Sequence, residues 1–562
     1  MKPDTSQGIC MNLLTDRWIP IRDSRNQARL IAPHELTADI GSNPILRLDA
    51  PRPDFNGALA QFLIGLVQTA WVLAGRRWNR ERMLLQPPSP DELAQAFAPF
   101  THAFELDGDG PRFMQDLTLC AADKPVENGM AALLIDSPGE QASERNTDHF
   151  VKRGQGSAMC THCAAMALFT LMTNAPSGGA GHRTSLRGGG PLTTLLVHDP
   201  EAADAPPPAL WRDVAANVRD TPRFVADANP ERAELMHVFP WLAAIEALQP
   251  GAETQPLDTH PAQMYWAMPR RIRLVFDTSA PGVCELCGAT DRPLVERYHT
   301  KNYGMNYKGP WRHPLSPYYR SKPADPPLPM HPQPGGLGYR HWLGWVLGLE
   351  QKGRSVEPAA VVRDLLSEQP SAQFRLWAFG YDMDNMKARC WYESRFPLFD
   401  FPPGDEAAEA LRGLLDRLLE TAELSASFLR WAVRDAWLGD ADARGDLSFV
   451  EAGFWSTTEP AFFACVAQAA AVVRQHGRDA FEESLALREA WLSAVRREVL
   501  ALFDLHAATG VVEAAHPARL AAAQRVLRSQ LWGDKLRAAA GLPVEKAPAK
   551  ARAKKSSTGE KV

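Results

Sequence analysis

Two Cys-x-x-Cys pairs, Cys160 with Cys163 and Cys284 with Cys287, constrain this chain more than any other feature. Two thiolates at that spacing converge on one tetrahedral ion, and two pairs complete a four-thiolate zinc site with no position left for water. Sharing an ion would bring together segments more than 100 residues apart. Gly288, directly after the second pair, fits a metal knuckle, where a small residue lets backbone N–H groups bond the sulfurs. On the residues alone, the alternatives are unligated buried thiols or a redox pair. His162, inside the first pair, reads as a surface histidine. Eight cysteines in 562 residues are too sparse for a disulfide scaffold.

The texture of the chain changes near position 405. Residues 11–403 are mixed, with most of the 46 prolines and long irregular stretches; 192–197 and 272–276 read as the clearest strands. Beyond 405, Leu411, Leu414, Leu415, Leu418 and Leu419 recur at helical spacing, as do Phe428, Trp431, Ala432 and Val433. Similar patterns cover 459–475, 481–505 and 517–540. The expected fold is therefore α+β: a large mixed N-terminal domain with long loops and a zinc knuckle (11–403), then an antiparallel four-helix bundle (405–543). Residues 545–562 hold six Lys/Arg, two Glu and almost nothing apolar, and read as a disordered basic tail. The most apolar run, 58–75, contains Gln61, Gln68 and Thr69 and reads as a core helix rather than a membrane span. The polar first ten residues show no secretory h-region, so a cytoplasmic protein without membrane partners is expected.

Lys and Arg number 61 against 66 Asp and Glu, a formal charge of −5. That balance excludes a nucleic-acid coat and requires any nucleic-acid role to be local. One stretch, 297–324, has the right character. It contains Arg297, Lys301, Lys308, Arg312, Arg320 and Lys322 and no acid, interleaved with Trp311 and five of the nine tyrosines. Cations neutralise phosphates and rings stack on bases. The alternative is a Pro-rich loop whose aromatics pack on the domain. A second stretch carries Gly178, Gly179, Gly181 and Gly188 to Gly190, with His182, Arg183 and Arg187 between. It fits neither a P-loop nor a dinucleotide fingerprint. What remains is backbone that can approach a ligand closely, or a plain flexible turn.

Catalytic signals are weak. His198-Asp199 matches the dyad of metal-dependent phosphohydrolases but lacks a distant histidine partner. Asp382-x-Asp384 and Asp440-x-Asp442 lack the other ligands of a calcium loop. The expectation is a non-enzyme; a metal-dependent nuclease or phosphohydrolase using His198 and Asp199 is the alternative.

The segment 11–22, Met-Asn-Leu-Leu-Thr-Asp-Arg-Trp-Ile-Pro-Ile-Arg, resembles the opening of CasA, the large-subunit family of the type I-E CRISPR surveillance complex Cascade. The residues before Met11 then read as an extension or a misassigned start. The resemblance continues through Phe150-Val151-Lys152, Gly154-Gln155-Gly156, both cysteine pairs, the Gly-rich segment, Trp311 to Pro317, and Gly380 to Met386. It implies a non-catalytic protein that recognises the protospacer-adjacent motif (PAM) in double-stranded DNA through the minor groove. It also implies that the protein promotes duplex opening and R-loop formation and recruits the helicase-nuclease. Partners would be the other Cascade subunits, guide RNA and target DNA. By resemblance, Phe150, Val151 and Lys152 form the L1 loop, with Lys152 where the family often has Asn. Gly179, Ala180 and Gly181, flanked by Arg183, form the minor-groove glycine loop. The lysine finger falls on Asn302 in an ungapped alignment, with Lys301 adjacent and preferred on chemistry. The wedge maps to Asn385, with Met386 beside it. Cys160, Cys163, Cys284 and Cys287 match the family's structural zinc ligands.

Overall fold

The computed structural model describes residues 11–119, 124–138, 155–179, 181–202, 207–226, 228–244, 248–276, 282–351, 353–368, 373–384, 386–402, 404–438, 445–508 and 517–544. The chain divides into two compact units, Met1–Phe401 and Pro402–Val562. The first opens with β1 (Ile19–Asp23), β2 (Ala28–Ile31) and β3 (Ile45–Leu48), then the helix α1 (Pro53–Leu73). β4 (Val126–Gly129) and β5 (Met159–Cys160) precede α2 (Thr161–Asn174) and β6 (Thr193–His198). Next come β7 (Arg271–Val275), β8 (Leu294–Val295) and β9 (Arg297–Lys301). β10 (Tyr318–Arg320), β11 (Leu328–Pro329), β12 (Leu349–Gln351) and β13 (Arg354–Glu357) follow. A long hairpin of β14 (Phe374–Asp384) and β15 (Lys387–Pro397) closes the unit.

Helix α1 is buried on nearly every face, as a helix without a polar stripe must be. By length and composition it would pass for a membrane span, yet 89% of its apolar stretch lies inside the unit. It is a core helix. Phe62 at its middle meets Trp18, Phe104, Phe113, Phe169 and Trp266 edge-on at 5.4–6.0 Å. Each such pair adds about 0.5–1.5 kcal/mol beyond its buried area. Around this core the strands form small antiparallel sheets, in the orders β2-β1-β3, β4-β9-β7, β5-β8, β11-β10-β13-β12 and β15-β14-β6. The two strands expected at 192–197 and 272–276 are β6 and β7, each shifted by one residue. The eleven-residue strand β14 escapes the alternation rule because, central in its sheet, it is buried on both faces over most of its length.

The second unit is helical: α3 (Asp405–Leu438), α4 (Ser448–His476), α5 (Leu485–Phe503) and α6 (Pro517–Leu531). Helix α3 packs against the other three, with Leu411, Leu414, Leu415, Leu418 and Leu419 buried. Helix α4 starts well before position 459 and runs straight through Pro460. Phe454, Thr458 and Phe462 are buried on either side of that proline, and their packing outweighs the missing N–H. The pattern over 517–540 is broken at Gly533, which caps a separate short helix, Asp534–Ala539.

Candidate nucleic-acid interface

The cysteine pairs meet. Cys160 pairs with Leu294 across β5 and β8 and caps α2, whose first turn carries Cys163. The second pair sits in a tight turn: the Cys284 N–H donates to the Ala289 carbonyl and the Gly288 N–H to the Cys284 carbonyl, both at 2.8 Å. The Glu285 N–H to Ala158 carbonyl bond, 3.0 Å, ties that turn to the first pair. All four sulfurs lie within 4.8 Å of one another. Cys160 and Cys287 stand 3.7 Å apart, against about 3.8 Å for an edge of a zinc–thiolate tetrahedron. Donation of its S–H to the Cys160 and Cys284 sulfurs, then burial, push the Cys163 thiol up, so four thiolates coexist here only around a cation. The donor set fits zinc. His162 lies outside it and is half-buried rather than on the surface; burial pushes its pKa down to about 4.

The glycine segment leaves α2 and folds back on itself. The Gly178 N–H donates to the His182 carbonyl at 3.3 Å, and the His182 N–H to the Gly179 carbonyl at 3.2 Å. The Gly181 carbonyl then accepts the Tyr303 N–H at 2.8 Å. Gly181 has φ +80°, and a Cβ there would lie 2.6 Å from the Asn302 Cβ, so glycine is required. The Arg183 guanidinium stands 5.6 Å from the Tyr303 ring centroid. Gly179, Gly181, Arg183, Lys301 and Asn302 thus share one corner. Lys301 is half-buried at the end of β9, opposite Arg271 on β7, while Asn302 is exposed.

The rest of the glycine-rich stretch belongs to the interior. Arg187 is buried, donating to Thr193 Oγ1 at 3.0 Å, to Ser316 Oγ at 2.9 Å and to Gln61 Oε1. Burial pushes its pKa down to about 10, so it is not the surface cation its sequence position suggests. Gly190 lies against Tyr381 of β14.

The basic-aromatic stretch divides the same way. Tyr298, Trp311 and Tyr318 are buried, and the Tyr307 hydroxyl accepts the Met268 N–H at 2.9 Å. The stretch has no acid of its own, yet neighbouring strands supply them. Arg297 pairs with Glu127 at 3.1 Å, and Glu357 pairs with Arg312 at 2.7 Å and Arg320 at 3.0 Å. For these residues the packing alternative holds. Lys308 and Lys322 remain exposed, with no ion pair among the described residues.

Met386 sits at the tip of the β14–β15 hairpin, between the paired residues Asp384 and Lys387; it is 53% exposed with φ +68°. Asp382 is buried and pairs with Arg389 at 2.9 Å, which accounts for it without a metal. His198 lies within β6 opposite Phe374, buried, with its pKa pushed down to about 4 by burial. Asp199 faces Arg375 at 3.9 Å. The four cysteines are the one described group of three or more potential metal ligands, and neither His198 nor Asp199 belongs to it. The nuclease alternative finds no site there. Phe150, Val151, Lys152, Ala180, Asn385, the Asp440 pair and the tail 545–562 lie outside the described residues.

Arg270 is a member of the corner that motif reasoning overlooks. It donates to the Pro176 carbonyl and lies under Gly178, whose Cβ would be 3.4 Å from Nη1. Its one sequence signal is the Arg-Arg doublet that opens β7.

A family model described as CRISPR-associated protein Cse1 matches residues 12–502. Among solved structures, the chain is similar to Cse1 from Thermobifida fusca, with TM-score 0.65 and 16% identity, covering 95% of this chain and 98% of that one. It is similar to CasA (Cse1) from Thermus thermophilus, with TM-score 0.60 and 17% identity, covering 93% and 99%. A chain of a CRISPR RNA-guided surveillance complex matches with TM-score 0.59 and 16% identity, covering 93% and 100%.

Proposed function

Because the chain belongs to the Cse1 family of CRISPR-associated proteins, whose members are also named CasA, we propose that it reads the PAM in double-stranded DNA as the large, non-catalytic subunit of a type I-E Cascade complex. The observation that carries this reading is the docking of the glycine segment on the Lys301–Tyr303 segment through the Gly181–Tyr303 hydrogen bond. Side-chain-free backbone and a polar finger then stand together, which suits a narrow groove offering only a few acceptors. Gly179, Ala180 and Gly181 press on the base edges, Arg183 supplies positive charge, and Lys301 or Asn302 reaches the minor-groove acceptors. The exposure of Asn302 favours it as the tip, with Lys301 behind it. Because the minor groove is a degenerate code, several PAMs are accepted.

Met386, at a hairpin tip, and Asn385, which precedes it in sequence, stabilise the first unpaired step and so promote seed pairing and R-loop formation. Phe150, Val151 and Lys152 contribute the L1 loop. Zinc, held by Cys160, Cys163, Cys284 and Cys287, supplies structural cross-linking and no reaction step. Residues 11–403 carry the DNA-reading part, and residues 405–543 are the helical bundle. Guide RNA, the other Cascade subunits and a recruited helicase-nuclease are the partners, in the cytoplasm.

A mobility-shift assay of the assembled complex on targets with varied flanking trinucleotides tests the reading. Affinity should depend on the flank, and Lys301→Ala, Asn302→Ala or Asn385→Ala should weaken binding or opening. Flank-independent affinity, with all three variants silent, would overturn it.

A further inference from the structure

We propose that Arg270 is a positioning residue for PAM discrimination, the brace that fixes the glycine loop relative to the finger segment. The inference rests on the reading of this corner as the minor-groove reader. The Gly181–Tyr303 bond closes the corner on one side; Arg270 closes it on the other. Its guanidinium donates to the Pro176 carbonyl at the root of the glycine loop, and its Nη1 lies 3.4 Å from where a Cβ on Gly178 would stand. Its backbone is clamped to the other arm. The Met305 N–H donates to the Met268 carbonyl at 3.2 Å, and a Cβ on Gly304 would stand 2.0 Å from the Pro269 carbonyl oxygen. One side chain thereby spans the two segments that must present a fixed surface to the duplex.

Arg270 shares its electrostatics with Arg187, a buried guanidinium bonded to neutral oxygens, and differs from its neighbour in sequence. Arg271, its neighbour, pairs with Asp116 at 2.6 Å; no carboxylate among the described residues pairs with Arg270. Its Nε is buried without a partner among the described residues, and burial pushes its pKa down to about 10. A cation kept largely from water without a counter-ion is costly. A neutral apolar side chain would fill the space at lower cost but would release the Pro176 carbonyl. A positive charge under the loop also favours approach of the negative potential in a narrow minor groove. Because the guanidinium is committed to the carbonyl, it acts through loop geometry rather than by touching a phosphate.

The experiment compares complexes carrying wild-type subunit, Arg270→Gln and Arg270→Lys on duplexes with accepted and rejected flanks, over a range of salt. Arg270→Gln should lower the affinity ratio between the two flanks about tenfold or more. The slope of log affinity against log salt should stay unchanged. Hydrogen exchange should show faster exchange at the His182 and Tyr303 amides, with the β7–β9 ladder still protected. Arg270→Lys, which keeps the charge but loses the fork, should fall between. If Arg270→Gln does not assemble, Arg270→Lys decides: wild-type discrimination with wild-type amide protection would overturn the proposal. So would a salt slope reduced by about one with discrimination intact, the sign of a direct phosphate contact. A wild-type complex that ignores the flank would instead sink the reading of the corner itself.

Discussion

Arginines here take opposite roles at similar sequence positions, and burial decides which. Arg183 and Arg187 flank the same glycines, yet Arg187 serves Thr193, Ser316 and Gln61 in the interior. Arg187→Met should therefore cost about 3 kcal/mol by leaving those oxygens short of a donor, as read by chemical denaturation. The salt dependence of DNA binding should not move. Cys163→Ser should lower bound zinc well below one ion per chain by metal analysis and destabilise the first unit by several kcal/mol. At this scale spacing marked the four cysteines, which the fold brings together, and resemblance marked the glycine segment and Lys301–Asn302, which meet in one corner. Arg270 and the pairing of Arg297, Arg312 and Arg320 were not legible: their meaning depends on Pro176, Glu127 and Glu357, which only tertiary structure brings near.

Among elements, the β14–β15 hairpin combines a fixed base with a projecting tip. The Tyr381 hydroxyl donates to Asp54 on α1 at 2.6 Å, and Asp382 holds Arg389 across the strands. Met386 at the tip holds a left-handed backbone that costs a non-glycine residue roughly 1 kcal/mol. Met386→Gly should leave stability unchanged or raise it by up to about 1 kcal/mol. If the tip separates strands, the same change should slow duplex opening, followed by a fluorescent base analogue at the first protospacer pair. Helix periodicity located the leucine face of α3, where one stripe is buried. It misplaced the start of α4, because Pro460 reads as a helix beginning until its buried neighbours are known.

For the molecule as a whole, pH dependence follows from buried histidines. Burial pushes His198 and His260 down to about 4, His341 to about 3, and His313 well below its usual range. The unfolded chain protonates them near pH 6.5 and the folded one does not. They therefore contribute stability above about pH 6.5 that is lost as pH falls toward 4, each at ~1.4 kcal/mol per pH unit. Asp213, buried and pushed up to about 7, works the other way, since the unfolded chain ionises it first as pH rises. With His162, also pushed down to about 4, five histidines oppose one aspartate, so these groups give a net slope of roughly four protons' worth, measurable as a falling thermal midpoint between pH 6.5 and 4.5. Finally, the glycine loop follows the first cysteine pair and the finger segment follows the second, at nearly equal distances along the chain. On the metal assignment proposed above, the ion works as a timing device during biogenesis. The four-thiolate set is complete only once synthesis has passed Cys287, about midway along the chain, so a chain starved of zinc should be made but should lose flank-dependent DNA binding.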